Sequence, residues 1–340
     1  MKYVFKLFLV IYCLLLFNNA DAQLLYKISN QGTPGFINTK GKPINIPDCQ
    51  SFGEFHESLS KFKSNNLYGF IDSTGKIVIP AIYERATNFH ESLSAVKLND
   101  KWMYINQRNE TILQVDCNYA YEFSNGLAMI QKGLYYGYID VTGKLIVPAI
   151  YEKAHSFSEE LASVKKNGKW GVVDTKNEQI IPFKYALIGQ FSEGRCNFQN
   201  SNDLGSKWGY FDSKGKIIIP ATFDKCYPFS EGRAIFRKGA FKGGSYGFID
   251  SVGTEVIPPI YDGAMSFSNG LASVAKGLGK ASSYGFIDSS GKVKLNFIFS
   301  RAKSFKHNLA YVRIGDYKTG VEGYINEKGK FIWKKNKSKL

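Results

Sequence analysis

Residues Tyr68 to Pro80 read YGFIDSTGKIVIP, and the phrase returns as YGYIDVTGKLIVP, WGYFDSKGKIIIP and YGFIDSVGTEVIP. Aligned on its glycine, the chain holds nine units, at Gly35, Gly69, Met103, Gly137, Gly171, Gly209, Gly247, Gly285 and Gly323. The first five positions are 34 residues apart and the rest 38. A period of this size means repeated supersecondary units, each unable to bury its apolar face without its neighbours. Every motif inside the phrase therefore has to be weighed first as a structural tile.

Spacing within the unit locates what changes along the chain. From the Asp or Asn of the phrase to the next Phe is 17 residues throughout, as in Asp72 to Phe89 and Asp288 to Phe305. From that Phe to the next Trp or Tyr is 13 residues early (Phe89 to Trp102) and 17 late (Phe191 to Trp208). Four extra residues thus enter one loop, in the last four intervals only. Each unit reads as three short strands: an L-A-x-V segment such as Leu161 to Lys166, the segment Trp170 to Asp174 after an Asn-Gly hairpin signal, and a β-branched run ended by Pro, as in Ile77 to Pro80.

The middle strand is apolar at two successive positions in all nine units, for example Phe70-Ile71 and Phe248-Ile249. Successive residues of a strand point to opposite faces, so both faces must be covered, which sheet-on-sheet stacking achieves. The glycine before them admits a close neighbour. Asp72-Ser73-Thr74-Gly75 and its equivalents read as tight turns, with Asp capping and Gly left-handed. Asn38, Asn106 and Asn326 replace the Asp, and Asn109 and Asn177 replace the Gly. Asn performs both tasks, whereas a catalytic or metal-binding carboxylate would not accept such swaps freely.

The chain opens with Lys2 and Lys6, an apolar run from Leu7 to Phe17, and Ala20-Asp21-Ala22. This predicts a secretory signal peptide over 1–22, cut after Ala22, with 23–340 forming the repeat array; the run is short of the ~20 residues that span a bilayer. The expected location is secreted, periplasmic or cell-surface. Cys13 has no lipobox around it. Cys49 and Cys117 fall in a column otherwise held by Tyr or Phe, and Cys196 and Cys226 in columns where Ala is common. They read as buried apolar substitutes, with a Cys196–Cys226 bridge the alternative in an oxidising compartment. The formal charge of +15 favours anionic partners; nucleic acid is not expected for an exported chain.

The W-G dipeptide, followed by apolar-apolar-Asp, then x-x-G-K and an apolar run ending in Pro, resembles the bacterial WG-repeat (KWG) family. Lys169-Trp170-Gly171 and Lys207-Trp208-Gly209 match most closely. Tyr stands for Trp in units two, four, seven and eight, Met103 for Gly in unit three, and Glu322 for Trp in unit nine. The resemblance covers residues 24 to 335. It implies a β-rich interaction scaffold with no common catalytic activity, and it carries over no functional residues.

Remaining chemistry is sparse. His56 and His90 share a column and are expected to stack; no histidine has metal-ligand spacing, and no metal or cofactor is expected. The glutamates Glu57, Glu91, Glu159, Glu193 and Glu231 could suggest paired acids, but Asn125, Asn269 and His307 fill the same column, which suits a polar turn. No catalytic residues are assigned, and the chain is not expected to be an enzyme. The Trp/Tyr column reads as packing before stacking platform. Lys42, Lys76, Lys144, Lys216, Lys292 and Lys330 would form a basic stripe of turn residues.

The functional expectation rests on the four longer loops, 200–206, 238–245, 276–283 and 314–321. They occupy one place in consecutive units, so they emerge on one side, and such insertions often form a binding surface. Lys238, Phe241, Lys242, Lys276, Lys280, Tyr317 and Lys318 are the candidate ligand-binding residues. The expected fold is all-β, with tandem three-stranded antiparallel units in an open curved or spiral stack; a closed propeller-like ring is the alternative. The expected function is an exported, non-catalytic scaffold for a protein or anionic glycan. The alternatives are an envelope-assembly protein without a small ligand, and a glycan-cleaving enzyme using Glu159 or Glu193.

Overall fold

The computed structural model describes residues 25–30, 33–239, 243–277 and 279–335. The expected signal segment 1–22, with Cys13, and the candidate residues Phe241 and Lys242 lie outside the described residues. Nine antiparallel sheets follow one another over residues 25–44, 51–83, 85–115, 119–151, 153–185, 187–223, 225–261, 263–299 and 301–334. We call them blades one to nine. No α-helix occurs among the described residues.

Eight blades have four strands in sequential order, not three. The segment after the apolar run, outside the three expected strands, pairs with the L-A-x-V strand: Arg85 lies opposite Lys97 and Ala86 opposite Val96. Without it that strand would leave a row of buried amides and carbonyls unpaired, a larger cost than ordering two residues. Among the described residues blade one alone has three strands, β1 (Leu25–Asn30), β2 (Thr33–Asn38) and β3 (Pro43–Ile44).

Third-strand residues are sandwiched as their double apolar column requires. Phe70, Tyr138, Phe248 and their partners Ile71, Ile139, Ile249 are at most 2% exposed. Adjacent blades bury them in shared clusters, such as Phe70 and Ile79 of blade two with Phe89, Val96 and Ile105 of blade three. Rings meet edge-on across each such boundary, with Phe70–Phe89, Tyr138–Phe157 and Phe248–Phe267 centroids 4.7, 4.7 and 4.9 Å apart.

The phrase glycine serves a contact within its own blade. An added Cβ on Gly69 would stand 2.5 Å from Ile79 O and 2.6 Å from the Pro80 carbonyl carbon. Gly137, Gly171, Gly209, Gly247 and Gly285 are equally crowded by their own fourth strands. There the fourth strand bulges, so that Tyr68 pairs with Tyr83 while Phe70 pairs with Ile79. Blade three, with Met103, has no bulge at this point: Trp102, Met103 and Tyr104 pair in step with Val115, Gln114 and Leu113.

The array closes into a nine-bladed, propeller-like ring, the alternative arrangement, and not the open spiral. A single contact repeats around it. Where the turn residue is glycine, it sits on the last strand of the blade before or just past its end: Gly75 on Asn45, Gly215 on Ile180, Gly253 on Ile219, Gly291 on Ile257 and Gly329 on Leu295. Gly41 of blade one makes the same contact with Ile332 of blade nine. Across this seam the Tyr26 hydroxyl donates to His307 O and the Tyr324 hydroxyl to Lys27 O at 2.7 Å, while Lys306 of blade nine reaches Glu54 of blade two at 2.8 Å. The spiral was favoured because propellers usually have four to eight blades; here the rotation per blade is small enough that nine complete the turn.

Candidate functional site

Because the strands of each blade run antiparallel in order, two faces differ in chemistry. The turns joining first to second and third to fourth strands emerge on one face. The loops joining second to third strands, and the crossings between blades, emerge on the other.

On the turn face the polar columns are committed to backbone. Asp72 Oδ1 accepts from Thr74 N at 2.9 Å and Lys76 N at 3.0 Å, and Asn38 and Asn326 accept in the same way. Hydrogen bonds to the Thr74 hydroxyl and to these amides, with the Lys76 charge, outweigh burial and hold Asp72 below its usual carboxyl range. Asn109 and Asn177 take φ of 64° and 67°, as the replaced glycines would. They also accept hydrogen bonds from Tyr83 and Tyr151 of the preceding blades, at 2.6 and 2.7 Å.

The five glutamates form an inter-blade chain. Each sits at φ near 50° in a two-residue turn, and its carboxylate accepts from the equivalent turn of the following blade. Glu57 takes Ser92 N, Glu91 takes Gly126 N, Glu159 takes Gly194 N, Glu193 takes Glu231 N and Gly232 N, and Glu231 takes Asn269 N and Gly270 N. Asn125 Oδ1 continues the chain to Glu160 N. The preceding serines add ties to the next Phe carbonyl, from Ser124, Ser158, Ser192 and Ser230 at 2.6 to 2.9 Å. Where His56 and His90 replace serine, the rings lie tilted against each other at 46° with centroids 5.0 Å apart, and His90 Nε2 lies 3.4 Å from Glu122 Oε2. Burial, then the neighbouring His90, lowers the His56 pKa. His155 stacks on Trp170 at 5.1 Å, and burial lowers its pKa too. No cluster able to hold a metal ion occurs among the described residues.

The Trp/Tyr column packs. Trp102, Trp170 and Trp208 are buried, and Tyr68, Tyr136, Tyr246 and Tyr284 half-buried. The four described cysteines are free thiols. Burial pushes Cys117 up to about 11 and Cys226 up to about 12, so both stay protonated and unreactive. The turn lysines Lys42, Lys76, Lys144, Lys216, Lys292 and Lys330 are exposed on this face, opposite the long loops.

The loop face carries the extended loops, in blades six to nine. Each described candidate residue engages its own blade. Lys238 is paired with Glu255 at 2.6 Å, the Lys276 ammonium lies 4.7 Å from the Phe297 ring centre, and Tyr317 is 83% exposed with the Arg313 guanidinium 4.9 Å from its ring. Lys318 is exposed, its N–H held by Asp316 Oδ1 at 2.7 Å. Hydrogen bonds from the Thr319 side chain and from two loop amides lower the Asp316 carboxyl to about 2. Lys280 lies in the short 3-10 turn Gly279–Ala281, its side chain outside the described residues.

Three features of this face escaped sequence reasoning. The residue after the column tyrosine caps the second–third loop of its blade: Glu84 takes Asp100 N, Glu152 takes Gly168 N, Asp224 takes Gly239 N and Asp262 takes Gly277 N. Its persistent polar character was the available signal. Leu134 and Leu204, 81% and 107% exposed, stand on loop tips of blades four and six. Blade three opens a cleft of about 350 Å³ beside Trp102, Val115 and Cys117, rimmed by Asp100, Lys101 and Asp116. It exists because the unbulged register ends pairing at Val115, leaving Cys117 short of the place that Tyr83 fills against Tyr68.

The WG containing repeat model matches residues 35–68, 68–102, 102–133, 136–170, 170–202, 208–240, 246–280 and 284–317, nearly end to end. The chain belongs to the WG-containing-repeat family. Tandem WG repeats thus build the ring, each of the eight matched repeats running from one blade into the next. No curated protein matches the chain. Among solved structures it is similar to a eukaryotic initiation factor at TM-score 0.66 and 10% identity, covering 92% of this chain and 96% of that one. It is also similar to dipeptidyl peptidase 4 of Porphyromonas gingivalis, at TM-score 0.49, 10% identity and 89% and 63% coverage. For Hsv2 of Kluyveromyces lactis the values are 0.43, 8%, and 79% and 95%. At such identities the first shows the fold alone, and the other two add no argument. No helix among the described residues is long and apolar enough to cross a membrane.

Proposed function

We propose that this WG-repeat ring is an exported, non-catalytic scaffold that holds a protein or an anionic glycan on its loop face. One observation carries the reading: four consecutive blades raise extended loops on the same face, while the other four-stranded blades turn there in tight hairpins. That step gives the face a raised, Lys-bearing half around Lys238, Lys276 and Lys318, with Tyr317 as an exposed aromatic contact. The carboxylates that a glycan-cleaving reading would use, Glu159 and Glu193, are engaged by backbone amides of the next blade. Export rests on the signal-peptide pattern at residues 1–22, and a secreted, periplasmic or cell-surface location follows from it.

The test removes the four-residue extension from each long loop. Binding is then measured on an array of sulfated and carboxylated glycans, and by crosslinking in the exported protein fraction. Capture is expected to be lost with the melting temperature unchanged. Capture that survives rejects the loop face as the site. Crosslinks to envelope proteins alone, with a blank array, would favour the assembly role.

A further inference from the structure

In blades two to nine the first strand pairs with the second at its loop-face end, and that row alternates in charge around the ring. Blades three, five, seven and nine set two cations directly opposite each other: Arg85 and Lys97, Lys153 and Lys165, Lys225 and Arg237, Arg301 and Arg313. In blades four, six and eight the same row holds Tyr119 and Gln131, Leu187 and Gln199, Gly263 and Ala275, and in blade two Ser51 and Lys63. Like charges directly opposite destabilise a sheet. Packing does not call for four such pairs.

Two observations put this row at the mouth of the ring's central channel. First strands lie innermost: Lys306, in the first–second turn of blade nine, reaches Glu54 of blade two past the whole of blade one. Beyond burial and His90, His56 of blade two also feels Glu122 of blade four and Lys306 of blade nine. Only near the axis do alternate blades come so close. Along the strand, the charged row adjoins the crossings of the loop face. There the Arg85 guanidinium lies 5.2 Å from the ring of Tyr119, the same position in blade four. The turn-face end of these strands carries Glu54, Asn88, Glu122 and Ser156 instead, so the channel is polarised.

Local carboxylates balance only part of this charge. Lys97 is paired with Asp100 and Glu84, and Arg313 with Glu322, which stands where blades two to eight carry Trp or Tyr. Among the described residues no carboxylate comes within 4.0 Å of Arg85, Lys153, Lys165, Lys225 or Arg301. The adjoining Glu152 and Asp224 are engaged by the amides of Gly168 and Gly239. The Lys225 ammonium lies 3.8 Å from the Trp208 ring centre; burial lowers its pKa, and Arg237 adds to the shift.

We propose that this mouth binds a compact molecule carrying several phosphate esters, seated on the ring axis with its esters at the cation pairs. A phosphate monoester carries a charge of about −2 and three acceptor oxygens, which two cations match, whereas a carboxylate or sulfate ester carries a single charge. A compact ligand on the axis meets cations of non-adjacent blades at once, and the one-signed mouth concentrates it. The site stands apart from the extended loops, since blades three and five turn in tight hairpins.

The test titrates the full chain with myo-inositol hexakisphosphate by calorimetry, at about physiological salt. Inorganic phosphate, a sulfated hexasaccharide and an oligoglutamate serve as the comparison ligands. Lys153→Gln with Lys165→Gln is expected to weaken hexakisphosphate binding about tenfold or more. Its melting temperature without ligand should hold or rise, because a repulsion is removed. Lys76→Gln with Lys144→Gln, on the turn face, and removal of the four loop extensions are each expected to change the affinity less than about twofold. No binding by the parent chain, or an undiminished affinity in the Lys153 and Lys165 double variant, overturns the proposal. So do equal losses in the mouth and turn-face variants, which would mark a diffuse charge effect. Tighter binding of the hexasaccharide or the oligoglutamate overturns the ligand class. Loss on removing the extensions overturns the mouth as the site and moves the anion to the long loops; glycan capture lost with hexakisphosphate binding retained supports both sites.

Discussion

Replacing Gly209 by alanine probes the contact that shapes every regular blade. The new Cβ would stand 2.5 Å from Ile219 O, 2.8 Å from Ala221 N and 2.9 Å from the Pro220 carbonyl carbon. All three belong to the backbone of the bulged fourth strand, anchored on either side by the Trp208–Phe223 and Tyr210–Ile219 pairs. No flexible side chain can yield, so the strand must retreat by roughly half an ångström, an overpacking that costs about 1–3 kcal/mol. Alanine also restricts the unfolded chain, which offsets about 0.4–1 kcal/mol. The expected net loss is about 1–2 kcal/mol. Blade one supplies the control. At Gly35 an added Cβ would meet only the Ile28 side chain, at 3.4 and 3.6 Å, because β3 is two residues long and forms no bulge there. Gly35→Ala is therefore expected to be neutral or to stabilise by up to about 1 kcal/mol. Urea titrations compare the two, with equal slopes required before midpoints are converted to energies. Equal shifts for the two variants would refute the bulge as the reason for the glycine column.

Tyr83→Phe removes the hydroxyl that reaches Asn109 of the next blade, with an expected cost of about 0.5–1.5 kcal/mol. Tyr185, for which the residue equivalent to Asn109 is Gly215 and has no side-chain acceptor, should tolerate the same change better; equal losses by thermal denaturation would discard the Tyr–Asn tie. The His56–His90 contact should make the ring acid-sensitive. Since burial and then His90 lower the His56 pKa, the folded chain binds fewer protons than the unfolded one just below the ordinary value of 6.5. The contribution is complete above that value and is lost as pH falls through the lowered pKa. Glu122 and Glu54 oppose the shift, and Lys306 adds to it. Melting temperatures of the parent and His56→Ser at about pH 7 and pH 5 should show a smaller acid loss in the variant; identical losses would assign the sensitivity elsewhere.

Much of the architecture could be read from residues acting on their near neighbours. A glycine at φ 90° at position 75, an Asp capping two amides, and paired apolar columns that demand cover on both faces all follow from local geometry. The same reasoning brought His56 and His90 together and read Cys196 and Cys226 as buried apolar substitutes, whereas Cys49 and Cys117, expected to be buried too, are only half-buried. It placed the long loops on one side because equal positions in successive units must share a face. It stopped at the identity of the acceptors and donors across blades. Glu193 looks like any polar turn residue until the next blade brings Glu231 N and Gly232 N to it, and Asn109 looks like a glycine substitute until Tyr83 arrives.

Sequence by itself determined the tile: the period, three of its strands, its turns and the residues that must be buried. Tertiary structure decided what the tiles make. Whether such an array spirals or closes depends on a small rotation between neighbouring blades, added nine times, and no single column reports an angle. Closure in turn places Gly41 against Ile332 and Tyr324 against Lys27, contacts between residues nearly 300 positions apart whose partners no local pattern could name.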